Sequence, residues 1–107
     1  MKMFAYAIYD SAAGAYMRPW FTRSDDEALR EFTHLATAAD NSKISDYPHD
    51  FTLFRIGLWD DNKGILEQQG PEKVQTALEA IAQSRQIRQT DDLFDDELAP
   101  KNAGGTD

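Results

Sequence analysis

The chain has no cysteine among its 107 residues, which removes disulfides, thiolate metal sites and cysteine nucleophiles together and fits a reducing compartment. It also lacks an apolar run of about 18 residues, and the N-terminal MKMFAYAIYD is not followed by a small-residue cleavage site. The expectation is a soluble, unexported protein with no membrane partner. Histidine is scarce: His34 lies in a helical pattern, and His49 lies in the loop Tyr47-Pro48-His49-Asp50. Neither has partners at ligand or triad spacing. His49 beside Asp50 has the makings of an oriented base, but a turn histidine is the commoner arrangement. No phosphate-cradling glycine loop or nucleophile elbow occurs. Asp60-Asp61-Asn62-Lys63-Gly64 falls short of a calcium loop, because its glycine comes one residue early and the closing glutamate is missing. These absences predict a protein that is not an enzyme and uses no cofactor and no metal.

Positive charge is also in short supply. The formal net charge is −8, which argues against phosphate neutralisation as the main purpose, since nucleic-acid affinity normally rests on clustered Lys and Arg. The acid is unevenly placed, however. Residues 91–107 hold six acids against Lys101, a net of −5, which leaves −3 for residues 1–90. The first 23 residues carry Lys2, Arg18 and Arg23 against Asp10. A near-neutral domain with a slightly basic front and an acidic tail differs from a uniformly acidic protein.

What is present reads as one α+β domain over 1–89, followed by an acidic, disordered tail over 90–107. Residues 2–9 and 15–22 are strand-like, with a turn between them that ends in Gly14. Ser24-x-x-Glu27 is a capping box, and Ala28, Leu29, Phe32, Leu35, Ala36 and Ala39 follow at helical spacing. Residues 40–50 read as a loop. FTLFRIGLW (51–59) is a strand, DDNKG a turn and ILEQ a short strand, and Gly70-Pro71 opens a helix with Val74, Ala77, Leu78, Ile81 and Ala82 as its buried stripe. The predicted order is β-β-α-β-β-α: a four-stranded antiparallel sheet from two hairpins, with two helices on one face. IYDSAAGAY (8–16) and LWDDNKGIL (58–66) share aliphatic, aromatic, Asp, three residues, Gly at a spacing of 50. The pattern reads either as a duplicated β-β-α unit or as two turns that chose Asp and Gly independently.

Strand parity then sorts the side chains. Pairing Asp10 with Ala15 puts Phe4, Tyr6, Ile8, Met17 and Phe21 under the helices, and the repeat adds Phe54, Ile56 and Leu58 there. The opposite face receives Ala5, Ala7 and Gly57 as its floor. Tyr9, Tyr16, Arg18, Trp20, Arg55 and Trp59 surround that floor as the candidate binding residues. Such a surface is too aromatic to be left in water. Three occupants fit: a second copy or another protein, a single strand whose bases stack on the rings, or the protein's own core. Pro19 places the second strand at an edge. LFDDEL in the tail reads either as a solubilising segment or as an acidic docking peptide.

AIYDSAAGAYMRPWF, EALREF and YPHDFTLFRIGLWDDNKG together resemble the small nonstructural protein of gokushoviruses, microviruses with single-stranded DNA genomes. The family pattern is an IYDS hairpin with a PFF-like second arm, an A-x-R-x-F helix, and a P-x-D-F-x-L-F-x-x-G-x-F/W-D strand leading to a turn glycine. The likeness covers residues 4 to about 71, and Trp20 stands where the first phenylalanine of that arm is usual. The resemblance implies a viral, nonstructural protein of the host bacterial cytoplasm that acts in single-stranded genome synthesis without catalysis. The implied partners are single-stranded DNA, a second copy in a homo-oligomer with a dimer favoured, or a viral or host replication protein.

Overall fold

Residues 1–38 and 42–98 are described by the computed structural model. Strand β1 (Lys2–Asp10) is followed by two short strands, β2 (Ala15–Tyr16) and β3 (Trp20–Thr22), and then by helix α1 (Asp25–Ala36). A short helix α2 (Lys43–Asp46) and a 3-10 turn at Pro48–Asp50 lead into β4 (Phe51–Asp60), β5 (Ile65–Thr76) and α3 (Ala77–Leu98). The fold is α+β, with a five-stranded antiparallel sheet in the order β2-β1-β4-β5, and β3 joins on the β1 side. Helical backbone runs to Leu98, past residue 90 where the sequence suggests the acidic tail begins, and the remainder of that tail lies outside the described residues. None of the described helices is long and apolar enough to cross a membrane.

The helices pack on one face of the sheet. Tyr6, Ile8, Phe51 and Leu53 point down from β1 and β4 to meet Phe32 and Ala28 of α1 and Ala77 and Ala80 of α3. The α1 stripe is narrower than predicted, with Ala28, Phe32 and Ala36 buried and Leu35 turned out, 39 % exposed; Ala39 lies outside the described residues. The segment read as a loop inserts Ile44 of α2 into the core, held by a turn whose N-terminal amides donate to Ser42 Oγ.

The second helix begins later than the sequence suggested. Gly70-Pro71 does not open it: β5 continues to Thr76, with Gly70 at φ +83° and a register shift between Arg55 and Gly57 on β4. The start signal lies in Thr76-x-x-Glu79. The Glu79 amide donates to Thr76 Oγ1 at 3.1 Å and the Thr76 amide donates to Glu79 Oε1 at 2.9 Å, a complete capping box. Removing the cap with Thr76→Ala should cost about 1 kcal/mol, read as a lower urea midpoint. The Thr76 backbone amide also holds the Glu79 carboxylate below its ordinary pKa. Its contribution is therefore full above 4.5 and is lost as pH falls through the lowered folded value, so the midpoint difference between the parent and Glu79→Gln should shrink on acidification.

The two halves repeat in detail. In the first turn Asp10 Oδ1 accepts from the amides of Ala12 and Ala13 at 3.0 and 3.3 Å, and the Gly14 amide donates to Asp10 O at 2.8 Å. In the second, Asp60 Oδ1 accepts from Asn62 and Lys63 at 3.0 and 3.3 Å, and Gly64 donates to Asp60 O at 2.8 Å. Gly14 and Gly64 sit at φ +69° and +67°, where a side chain would be strained. Turn chemistry alone could account for that match. It does not account for the hydroxyl N-caps that open both long helices, nor for β1 lying against β4 antiparallel at the sheet centre, the arrangement that a two-fold axis between two β-β-α units produces.

Candidate nucleic-acid interface

The face away from the helices is built on small residues. Ala5 and Ala7 are buried yet stand outside the helix-side core, and Gly57 lies opposite Ala5. Adding a Cβ to Gly57 would bring it to 2.9 Å from the Glu67 carbonyl oxygen and 3.7 Å from Ala5 Cβ, so the floor has no room for a larger side chain there.

Three rings on this face cluster at the end near the first turn. Tyr9 lies opposite Tyr16 with ring centroids 4.8 Å apart, and Phe54 meets Tyr16 at 5.7 Å and Tyr9 at 6.4 Å, both edge-on. The two Phe54 contacts are edge-on and the Tyr9–Tyr16 pair is tilted, so the three rings do not form a closed face-to-face stack. At the other end Trp59 is flanked by Met3 and Leu66 in the ladder, and Leu66 is 59 % exposed. Phe21, opposite Ala5, is 43 % exposed.

Of the six residues predicted to gather here, Tyr9, Tyr16 and Trp59 do so, and Arg18 stands exposed in the segment between β2 and β3. Trp20 and Arg55 are on the other side. The sequence register fails at two irregularities at the level of Tyr6. On one flank of β1, Tyr9 pairs with Tyr16 but Tyr6 pairs with Trp20, so the segment Met17-Arg18-Pro19 contributes one extra residue. Proline has no amide to give the ladder, and a bulge is where a strand tolerates it. Parity inverts beyond it: Trp20 drops to the helix side, where its Nε1–H donates to Glu31 Oε1 at 2.6 Å and its ring lies 6.2 Å from Tyr6, and Phe21 rises to the open side.

On the other flank, Ala5 pairs with Gly57 but Tyr6 pairs with Arg55, which leaves Ile56 as the extra residue. Arg55 therefore points toward α1, and Phe54, expected under the helices, faces out. Arg55 Nη1 donates to both oxygens of Asp25 at 3.0 and 3.1 Å, Nη2 pairs with Glu72, and the guanidinium lies 5.2 Å over the Phe4 ring. Tyr6 donates its hydroxyl to the same Asp25 at 2.5 Å. Burial first, and then the Asp25 carboxylate, raise the Tyr6 phenol well above the ordinary tyrosine value. It stays neutral in the fold and locks α1 to the sheet.

The open face consequently has its cations at the rim. Arg18 adjoins Tyr16 through Met17, and Lys73 lies opposite Phe54 with Nζ 3.6 Å from Glu79. Phe21 and Phe54 were missed as site residues. The sequence signal for Phe21 is Pro19 beside it, which marks a bulge. The sequence signal on β4 is Gly57 beside Ile56, since a glycine inside a strand pattern often marks a bulge.

Residues 3–80 match the family described as Phage ORF5 protein. No curated protein and no solved structure matches the chain.

Proposed function

The chain belongs to the Phage ORF5 protein family, and on that premise we propose that it binds single-stranded DNA on the open sheet face, as a non-catalytic protein of viral genome synthesis in the host cytoplasm. The finer placement among gokushovirus nonstructural proteins rests on the motif resemblance. The observation that carries the DNA reading is the Tyr9, Tyr16 and Phe54 cluster, three rings without face-to-face stacking on a helix-free surface beside Arg18. Base stacking on such rings is worth about 1–3 kcal/mol per base and tolerates any sequence, which suits a protein that meets a whole genome. Arg18 beside the rings supplies a cation for the phosphates, the contribution that single-strand binders combine with stacking.

A second reading is favoured by the loss of Arg55 to Asp25 and Glu72. Without that cation the face is more apolar, and a viral or host replication protein could be its occupant instead. The two readings separate in one titration. With Trp20→Phe in place, Trp59 is the only indole, and adding oligo-dT should quench its fluorescence, less so as salt rises. An unchanged signal at low salt, together with no rise in the anisotropy of labelled oligo-dT, would sink the DNA reading in favour of the protein partner.

A further inference from the structure

The open face is large for a surface left in water, and no described helix covers it. From strand rise and spacing, β1, β4, β5 and the short strands beside β1 present about 30 Å by 19 Å, or about 570 Å². Exposed on it are Tyr16, Phe21 and Leu66, at 46, 43 and 59 %. Patches of that size on a free protein mark an interaction site.

We infer that in the DNA-free protein a second copy of this chain covers the face, sheet against sheet, and that single-stranded DNA and the second copy compete for it. The inference rests on the DNA reading and adds its regulation. Area is the first support. A pair would bury about 1,100 Å², just under the usual range of about 1,200–2,000 Å² for stable interfaces, so the pair forms at high concentration and yields to a ligand.

Self-complementarity is the second. Leu66 forms one wall of a hollow of about 190 Å³ that is floored by Ala5 and Gly57 and completed by Ile56, Gln68 and Glu67. A two-fold axis sets each copy's Leu66 into the other's hollow, and an isologous contact requires knob and hole on one surface in this way. Charge is the third. Arg18 and Lys73 stand at the margins, so pairing the centres buries neither cation, and the small floor permits the approach of about 10 Å at which sheets pack.

The test is sedimentation velocity on the full chain, from about 1 µM to about 200 µM, with and without a short oligo-dT, on the parent and on Leu66→Glu. Leu66 is exposed, so the substitution leaves the core intact. The parent should move from monomer toward dimer as concentration rises and return to a one-chain complex when oligo-dT is added. Leu66→Glu should stay monomeric across the range, and a variant that dimerises like the parent overturns the sheet-to-sheet contact at Leu66. A parent that is monomeric throughout yet binds oligo-dT overturns the self-association and leaves the DNA reading standing. A dimer that keeps two chains when saturated with oligo-dT overturns the competition. A dimer that binds no oligo-dT removes the DNA reading and the competition together.

Discussion

Replacing Tyr16 and Phe54 together by alanine should weaken oligo-dT binding by at least about thirtyfold while leaving the fold intact. Each ring removed forfeits about 1–3 kcal/mol of stacking, and about 2 kcal/mol in total corresponds to that factor. Stability should hold, because Tyr16 is 46 % exposed and Phe54, which packs on rings of the same face, is not part of the helix-side core. Trp20→Ala provides the contrast. Its indole lies on the helix side against Tyr6 and Glu31, so it should lower stability and spare DNA affinity. Fluorescence anisotropy of labelled oligo-dT measures the first effect and urea unfolding the second. The reverse pattern would return Trp20 to the open face.

The second large effect tests strand parity in the core. Leu53→Ala should destabilise by about 2–5 kcal/mol, the range for emptying a buried leucine site. Leu53 is fully buried against both helices. Phe54→Ala, one residue along and larger in the atoms it removes, should cost far less, because Phe54 is on the other side of the sheet. Denaturant midpoints for the two variants decide the matter, and a Phe54 variant that is the less stable of the pair would invert the assignment.

Much of the fold is legible in the sequence because its signals are local. Asp10 and Gly14 fix the first turn, Ser24 and Glu27 the start of α1, and the alternation of Phe4, Tyr6 and Ile8 against Ala5, Ala7 and Tyr9 assigns β1 correctly along its length. The start of α3 was equally local, but Gly70-Pro71 offered a competing start signal upstream of Thr76-x-x-Glu79. The membership of the binding face was harder, because parity is propagated from a turn and each bulge inverts everything beyond it. Tyr9, Tyr16 and Trp59 lie between the turns and the bulges and were placed correctly. Trp20, Phe21, Phe54 and Arg55 lie past them and were exchanged. Pro19 could have warned of the first bulge. Gly57 could have warned of the second, but which residue is left over there is set by how β4 meets Tyr6 on one side and Glu72 on the other.

The extra residue between Tyr16 and Trp20 means that the identity of the ring shown to the outside is decided by chain length, not by which aromatic is encoded. Shortening Met17-Arg18-Pro19 by a single codon would turn the edge over, lifting the indole out and tucking Phe21 beneath. An insertion or deletion there would thus rewrite the recognition chemistry in one step, with every side chain of the hairpin otherwise unchanged.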